Sequence, residues 1–246
     1  METRQEKKPE KYRHEMKYPI DRRQLETLRV RLPAVIPLDS HVGAKGFYEI
    51  RSLYFDDFEN RCYYENENGT DPREKFRIRI YNGSSERIRL ELKRKERGKT
   101  LKLSCPLQKE QCERLVHGEG ISWQEAEMHP LLRKFFLWQE LNGLKPKVIV
   151  EYDRIPFICP DGNVRTTLDI NIRSSGRVED FLREKILTRP IMPVGLNLLE
   201  VKYDEFLPDY INHSIQMRGL KQTTFSKYYL CRKYGAVHSY NKEYRF

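Results

Sequence analysis

The chain has 246 residues, with 46 lysines and arginines against 36 aspartates and glutamates, which gives a formal net charge of +10. A chain of this length can bury a sizeable core, so a largely disordered protein is excluded. The positive charge indicates a polyanionic partner, of which nucleic acid, acidic lipid and phosphate compounds are the main classes.

The spacing of the cysteines and the lack of long apolar runs argue against further classes of protein. Five cysteines occur, none in a C-x-x-C pair, which argues against a zinc site and against a disulfide framework. The sequence shows neither a run of about 18 apolar residues, as a membrane-spanning helix needs, nor an apolar targeting segment at its start. We therefore expect a cytoplasmic protein in which residues 1–12 form a disordered tail and residues 13–246 a single domain.

The first predicted helix has Asp21 as its N-cap. Its residues Leu25, Leu28 and Leu32 share one apolar face, and Pro33 ends it. Further helices are predicted over residues 106–117, 122–142, 178–187, 208–218 and 226–234. No internal repeat or flexible linker divides them.

Between the helices the hydrophobic pattern changes to a period of two, which is typical of strands. In residues 76–81, Phe76, Ile78 and Ile80 take one face while Arg77 and Arg79 share the other. Similar segments are residues 88–93, 101–103, 148–157, 164–173 and 199–203. The short connections between them favour antiparallel pairing.

The polar faces of these strands carry charges of both signs. In residues 148–157, Glu151 and Asp153 lie on the polar face of the strand, and the alternation places Arg154 on the opposite face. The polar positions of the other segments are Arg89, Glu91, Lys93, Lys102, Arg165, Thr167, Asp169, Asn171 and Arg173.

Two interpretations of these charged faces are open. An ordinary sheet with one solvated face also carries mixed charges, and exposed ion pairs add little to its stability. A sheet that curls with its charged faces inward is favoured here, because cations outnumber the carboxylates and a carboxylate and an ammonium recur two residues apart. The recurring pairs are Glu15/Lys17, Glu91/Lys93 and Glu200/Lys202.

A curled sheet of this kind encloses a lumen suited to polyphosphate. Arginine donates two parallel hydrogen bonds to phosphate oxygens, and lysine adds a compact positive charge. Carboxylates do not bind phosphate directly, but they hold Mg²⁺ or Mn²⁺, which takes one or two protein carboxylates together with phosphate oxygens. The sequence thus predicts a site for a triphosphate and a metal ion.

Eight short motifs occur in order along nearly the whole chain. They are RHEMKY (13–18), SLYFD (52–56), RIR (77–79), LELK (90–93), EYDR (151–154), RTTLD (165–169), LEVK (199–202) and FSKY (225–228). With these motifs the chain resembles the catalytic domain of the vacuolar transporter chaperone (VTC) complex, a polyphosphate polymerase family among the CYTH-like triphosphate tunnel metalloenzymes. Each motif alone is weakly specific, and their order and spacing carry the resemblance.

The resemblance implies an α+β fold, in which an antiparallel eight-stranded β-tunnel with a charged lumen is decorated by peripheral helices. It implies ATP as the phosphoryl donor, inorganic polyphosphate as the product, Mn²⁺ or Mg²⁺ as the cofactor, and Glu200 as the metal-binding residue. Glu15 and Glu91 are further metal candidates because of their recurring spacing. The resemblance also leaves room for a membrane-protein partner that exports the product, and it does not determine the oligomeric state.

The same resemblance assigns roles to the basic residues. The residues expected to act in catalysis are Arg77, Arg79, Lys93, Arg165 and Lys227. These five, together with Lys17, Lys102 and Arg154, fall on positions that grip the triphosphate and the growing chain. Lys202 joins the substrate-binding set as the partner of Glu200.

At two positions of the predicted substrate-binding site, this chain departs from the family pattern. The family has a basic residue where this chain has Asn66, and another where it has Thr224, three residues before Lys227. Lys221 precedes Thr224 by one turn if that segment is helical, so we add it to the substrate-binding set as a substitute.

Two other functions are compatible with the sequence. A metal-dependent triphosphatase of the same fold would use water in place of the polyphosphate acceptor, and the lumen residues alone do not separate the two reactions. A non-enzymatic binder of polyanions or nucleic acid would present an open basic groove with Tyr54, Phe76 and Tyr81 as stacking platforms. We favour the polymerase and expect no nucleic-acid partner.

Overall fold

A computed structural model describes residues 11–240, and residues 1–10, most of the predicted tail, lie outside the described residues with residues 241–246. One sheet runs in the order β1-β9-β7-β6-β2-β3-β4-β5, with every neighbouring pair antiparallel and a two-residue strand β8 paired to β7. The strands are β1 (His14–Ile20), β2 (Tyr48–Asp56), β3 (Arg73–Tyr81), β4 (Ser84–Glu96), β5 (Lys99–Pro106), β6 (Lys145–Cys159), β7 (Val164–Ser175), β8 (Arg189–Pro190) and β9 (Asn197–Tyr203).

The sheet curls until the segment that leads into β1 meets β5. The backbone N–H of Arg13 donates to the carbonyl of Thr100, and the N–H of Thr100 donates to the carbonyl of Arg13, both at 2.9 Å. Inside the curl, Lys93 of β4 pairs with Glu15 of β1. Closure satisfies backbone groups that an open edge would leave free. The predicted antiparallel tunnel of eight long strands with peripheral helices is confirmed.

The outer surface of the curl packs against two groups of helices. Phe76, Ile78 and Ile80 of β3 are fully buried in the first hydrophobic core, under helices α3 (Lys109–Val116), α4 (Trp123–Glu127) and α5 (Pro130–Asn142). The second core lies under α1 (Arg22–Arg31) and α6 (Asp209–Ile215) and covers β6, β7 and β9. The alternation of β3 therefore places its basic residues on the inner face.

A third apolar cluster lies inside the curl. Helix α7 (Lys227–Tyr240) covers part of the concave face, where Tyr228 and Cys231 are fully buried against Tyr54, Val150 and Tyr152. The lumen is thus apolar where α7 covers it and charged elsewhere.

Local signals explain the first helix. Asp21 accepts from the N–H of Gln24 at 2.7 Å while the Gln24 side chain accepts from the N–H of Asp21, which forms a capping box. Leu25, Leu28 and Leu32 are buried, as the spacing predicts. None of the described helices is long and apolar enough to cross a membrane.

Two predicted helices differ from the structure. Residues 122–142 form two helices rather than one, because Pro130 starts α5 and His129 before it is extended (φ −156°, ψ 138°). Residues 178–187 form only a short 3₁₀ turn (Val178–Asp180). There the carbonyls of Phe181 and Glu184 accept from the buried guanidinium of Arg51, both at 3.1 Å, instead of from a helical N–H.

Helix α2 (Arg61–Glu67) has no counterpart in the sequence prediction. Its first N–H groups are satisfied by carboxylates that precede it: Asp57 accepts from Arg61, and Asp56 accepts from Cys62 at 2.9 Å and Tyr63 at 3.2 Å. The adjacent aspartates were the available signal, since an acidic side chain before a helix is a common cap.

Candidate active site in the tunnel

The inner faces of β3 and β4 form a strongly basic wall. Four cations of β3, which are Arg73, Lys75, Arg77 and Arg79, share the face opposite to its core residues. Glu91 of β4 lies directly opposite Arg77 in the register. A single carboxylate therefore lies among several cations.

Glu91 orients two predicted site residues. Arg77 donates to Glu91 Oε2 from Nε at 2.8 Å, and its Nη1 donates to the Tyr54 hydroxyl at 2.8 Å. Lys102 donates to Glu91 Oε1 at 3.0 Å, and Arg79 Nε lies 3.8 Å from Oε2. Although burial raises the pKa of Glu91, Arg79 and Arg77 lower it well below its usual range. The carboxylate is therefore charged and holds the arginines in place.

A second group joins β1, β4 and β9. Lys17 Nζ lies 3.5 Å from Glu15 and 3.7 Å from Glu200, and Lys202 contacts both carboxylates as well. Lys93 donates to Glu15 Oε1 at 2.8 Å. Burial raises the pKa of Glu200, but Lys202 and Lys17 lower it well below its usual range. Two predicted metal-binding glutamates thus share the same ammonium groups.

The third group centres on Asp169, which is fully buried. Arg154 donates to it from Nε at 2.7 Å and from Nη2 at 2.8 Å, and Lys227 of α7 donates from Nζ at 2.6 Å. Arg154 also lies 3.9 Å from Glu200, which connects this group to the previous one. The three groups bring nearly all predicted basic site residues into one lumen.

The structure corrects the prediction of which charged residues of β6 face the lumen. Arg154 lies in the lumen, whereas Glu151 and Asp153 lie on the outer face, where Arg173 donates to Glu151 at 2.8 Å. The register shifts between Glu151 and Asp153, and Asn171 in β7 adopts φ +53°. This bulge in β7 reverses the alternation of that strand after Asn171. Arg173 therefore lies on the outer face, although the sequence pattern predicted it on the same face as Arg165 and Asp169.

Arg165 of β7 shares the lumen side with Thr167 and Asp169 and lies opposite Lys202 in the register. Its Nη2 lies 2.6 Å from Asp39, a buried aspartate in the loop after α1. Burial raises the pKa of Asp39, but hydrogen bonds from His41 and the charge of Arg165 lower it. The loop thus fixes the orientation of Arg165.

A cavity of about 810 Å³ opens into this lumen. Lysines and hydroxyl or amide side chains line its wall. Asn66 and Thr224, which replace basic residues of the family pattern, both lie on it. The lining includes Glu15, Lys17, Asn66, Arg73, Lys75, Lys93, Lys95, Thr224, Ser226 and Tyr229.

The placement of Lys221 differs from the prediction. Residues 216–226 are not helical, since α7 begins at Lys227, and Lys221 is exposed and absent from the cavity wall. The helical turn on which its expected role as a substitute depends is therefore not formed.

Sequence reasoning missed Lys75, Arg73 and Lys95 in the lumen. The predicted strand began at Phe76, but the structure extends β3 back to Arg73. Continuing the two-residue alternation backwards from Arg77 would have identified Lys75 and Arg73. Lys95 lies opposite Arg73 in β4.

The carboxylate oxygens of Glu15 and Glu200 are ligands of the kind that a small divalent cation takes. Within residues 11–240, no three His, Cys, Asp or Glu side chains are grouped as metal ligands. Mg²⁺ and Mn²⁺ need only one or two protein carboxylates when phosphate oxygens and water complete the shell. Because one ammonium already contacts both carboxylates, a cation can be shared between them.

The nucleic-acid alternative required an open groove with exposed aromatic platforms. Phe76 is fully buried in the outer core, and Tyr54 is 5% exposed beneath α7. Two of the three suggested rings are therefore not available for stacking with bases, whereas Tyr81 is partly buried. The edges of the curled sheet meet at the bridge between Arg13 and Thr100.

Comparisons with known proteins agree with this architecture. The family described as VTC domain matches residues 12–234, and no curated protein matches the chain. A proposed adenylyl cyclase from Hippeastrum, described as having a dominant triphosphatase activity, is similar in fold with a TM-score of 0.52 and 13% identity, over 90% of this chain and 95% of that one. A proposed adenylate cyclase from Bacillus halodurans has a TM-score of 0.47 and 14% identity, over 84% and 87% of the two chains.

Proposed function

Because the chain belongs to the VTC domain family, we propose that it transfers the γ-phosphate of ATP to the end of an inorganic polyphosphate chain in the tunnel. The observation that carries this proposal is the excess of lysine and arginine around a closed lumen whose carboxylates already have cationic partners. The remaining positive charge needs an anion, and a linear polyphosphate fits the shape of a tunnel.

The reaction needs positioning and charge stabilisation more than covalent chemistry. In phosphoryl transfer, negative charge spreads over the equatorial oxygens of the transferred group. Arg77 and Arg79 would donate to these oxygens, and Glu91 and Tyr54 hold Arg77 ready before substrate binds. Lys93, Arg165 and Lys227 would hold the phosphates on either side of the transferred group.

The attacking group comes from the substrate. A terminal polyphosphate oxygen is already ionised near neutral pH, so no general base is required, and no side chain needs to act as a nucleophile. Lys17, Lys102, Arg154 and Lys202 would orient the donor and acceptor chains for in-line attack.

Glu200 and Glu15 are the residues that would hold Mn²⁺ or Mg²⁺, and Glu91 is occupied by Arg77 and Lys102. When bound, the metal ion would neutralise charge on the triphosphate oxygens. Lys17 and Lys202, which contact Glu200 in this structure, would then be available to phosphate.

Incubation of the purified protein with ATP and Mn²⁺, with and without a short polyphosphate primer, tests the proposal. A gel stained for polyphosphate should show a ladder of long chains, and ADP should form in parallel. If ATP is consumed and only orthophosphate appears, the polymerase proposal is wrong.

A triphosphatase is the second candidate function. The Hippeastrum protein shares the fold at a TM-score of 0.52 and is described by that activity. In this case water takes the place of the polyphosphate end in the same lumen. Orthophosphate release from tripolyphosphate without any chain growth would support it.

Two further predictions concern the cellular location of the protein and its partner. A cytoplasmic location follows from the use of cysteine, and a membrane-protein partner for product export follows from the resemblance. Fractionation of cells and affinity purification test them.

A further inference from the structure

Among the described residues, two lysines of the cavity wall, Lys75 and Lys95, lack the carboxylate partner that the others have, and Lys75 is the one that lies against Tyr54 and Tyr228. Lys17, Lys93, Lys102, Lys202 and Lys227 each lie within 4.0 Å of a carboxylate. Lys75 has no carboxylate at that distance in the part of the chain that the structure describes. Its Nζ instead donates to the hydroxyl of Ser226 at 3.1 Å.

The surroundings of Lys75 are also basic. Lys93 lies directly opposite it in the neighbouring strand, and the next pair along the same strands is Arg73 opposite Lys95. Like charges in such positions destabilise a sheet. Glu15 accepts a hydrogen bond from Lys93, although burial still lowers the pKa of Lys93 well below its usual range. Lys75 has no such carboxylate within residues 11–240.

Aromatic rings lie on the remaining sides of Lys75. Its Nζ is 5.7 Å from the ring centroid of Tyr54 and 5.6 Å from that of Tyr228. Ring faces attract a cation weakly compared with a carboxylate. The ammonium form therefore receives little stabilisation from its own protein.

The titratable groups around Lys75 come from several elements. Burial and the charges of Lys17 and Arg77 lower the pKa of Lys75 to about 7. The three glutamates on the cavity wall have other partners: Glu15 pairs with Lys93, Glu67 accepts from Tyr229, and Glu74 pairs with Lys134. The groups that face Lys75 are Arg73 and Arg77 of β3, Lys93 of β4, Lys17 of β1, Tyr54 of β2, Cys62 of α2, and Ser226 and Tyr228 at the start of α7.

We propose that a phosphate group of the substrate is the missing counter-ion of Lys75, so that the tunnel takes up a proton from solution when polyphosphate binds. This inference rests on the proposed function, because it assigns regulation by pH to the same lumen. Lys75 lies on the wall of the 810 Å³ cavity, so a phosphate there can reach both its amine and the Ser226 hydroxyl.

The sign of the effect follows from the lowered pKa. In the free protein Lys75 is largely charged at pH 6 and largely neutral at pH 8, whereas a bound phosphate keeps it charged at both. Proton uptake on binding is therefore small at pH 6 and approaches about one proton per site at pH 8. The affinity for polyphosphate falls as pH rises above 7.

Isothermal titration calorimetry of the whole chain with tripolyphosphate, without metal or ATP, measures this uptake. Titrations at pH 8 in two buffers with different ionisation enthalpies give the number of protons bound. The matched variant is Lys75→Arg, which is charged at both pH values, and its fold is checked by circular dichroism. Wild type and Lys75→Arg bind the same ligand. Any protons that tripolyphosphate itself gains or loses on binding therefore cancel when the proton uptake of the two proteins is subtracted.

The wild type should take up about one proton more than Lys75→Arg at pH 8, and the difference should nearly disappear at pH 6. Lys75→Met should bind tripolyphosphate about tenfold more weakly at pH 6, because a charge-assisted hydrogen bond is lost. Equal proton uptake by wild type and Lys75→Arg at pH 8 overturns the inference while leaving the proposed function intact. If the wild type does not bind tripolyphosphate at either pH, the proposed function fails and the inference fails with it.

Discussion

Among single residues, most cations of the lumen contact a group that fixes their direction. Arg77 is held at three points, by a hydrogen bond from Nε to Glu91 Oε2, an ion-pair contact of Nη2 with the same oxygen at 2.7 Å, and a hydrogen bond to Tyr54. A guanidinium is planar and donates in a fork, so these contacts also determine which N–H groups face the lumen.

We predict that Arg77→Lys lowers turnover by about 100-fold, because one ammonium cannot reproduce the fork that stabilises the transferred phosphate. The rate of ATP consumption with saturating primer measures the effect. The matched control is Arg94→Lys on the outer face of β4, where Arg94 pairs with Glu74 and Glu96. Equal losses in the two variants would contradict the assigned role.

Glu200 has a different expected role, because it repels phosphate when no metal ion is bound. We predict that Glu200→Gln lowers metal-dependent turnover by about 100-fold or more. Metal-free binding of tripolyphosphate should not weaken, because Lys17 and Lys202 lose a competing carboxylate. Calorimetry and the rate assay measure the two quantities.

The control for this pair of measurements is Glu49→Gln. Glu49 pairs with Arg173 on the outer face of the sheet, so the variant should leave turnover unchanged. A Glu200→Gln protein that loses tripolyphosphate binding and turnover together would show that Glu200 acts by holding the lumen together.

At the scale of elements, α7 is attached to the sheet and to α2 through one aspartate. Asp56 at the end of β2 accepts from the first N–H groups of α2 and from the hydroxyl of Tyr228 in α7. Asp56 and Tyr228 are both fully buried. One carboxylate thus positions the helix that carries Lys227 into the lumen.

We predict that Tyr228→Phe lowers the free energy of unfolding by about 1–3 kcal/mol, because a buried charge-assisted hydrogen bond is removed. Urea denaturation measures the change. Tyr234→Phe is the control in the same helix, since Tyr234 is about half exposed and should change stability little. A Tyr228→Phe protein as stable as Tyr234→Phe would mean that apolar packing alone holds α7.

At the scale of the whole molecule, the buried carboxylates couple stability to pH. Burial raises the pKa values of Glu15, Glu91 and Glu200, but the surrounding cations lower them well below their usual range. The unfolded chain therefore binds more protons than the folded one in acid. The stabilisation is complete above the unfolded pKa of about 4.3 and is lost as pH falls below it.

We predict that the melting temperature falls steeply as the pH drops below about 4.3, and that Glu91→Gln shows a smaller fall in that range. Differential scanning calorimetry across the pH range measures both. Glu127→Gln on the exposed surface of α4 is the control and should follow the wild type. A Glu91→Gln protein with an unchanged pH dependence would contradict the assigned source of the effect.

Local sequence patterns were enough to predict which side chains of β3 share a face and where α1 begins. Arg77 and Arg79 lie opposite a buried apolar row, and Asp21 caps α1, because both features depend on neighbours within a few residues. The order of eight motifs likewise identified the family and the closed antiparallel fold.

Which charged faces line the lumen depends on how strands far apart in the chain pair with each other. Arg154 faces inward while Glu151 and Asp153 face outward, and the bulge at Asn171 turns Arg173 away. β2 has no clean alternation because one side is covered by the outer core and the other by α7. The lack of a carboxylate within 4.0 Å of Lys75 among residues 11–240 also could not be predicted from local patterns. These features depend on contacts between residues far apart in the chain, whose pairing is set only when the sheet closes.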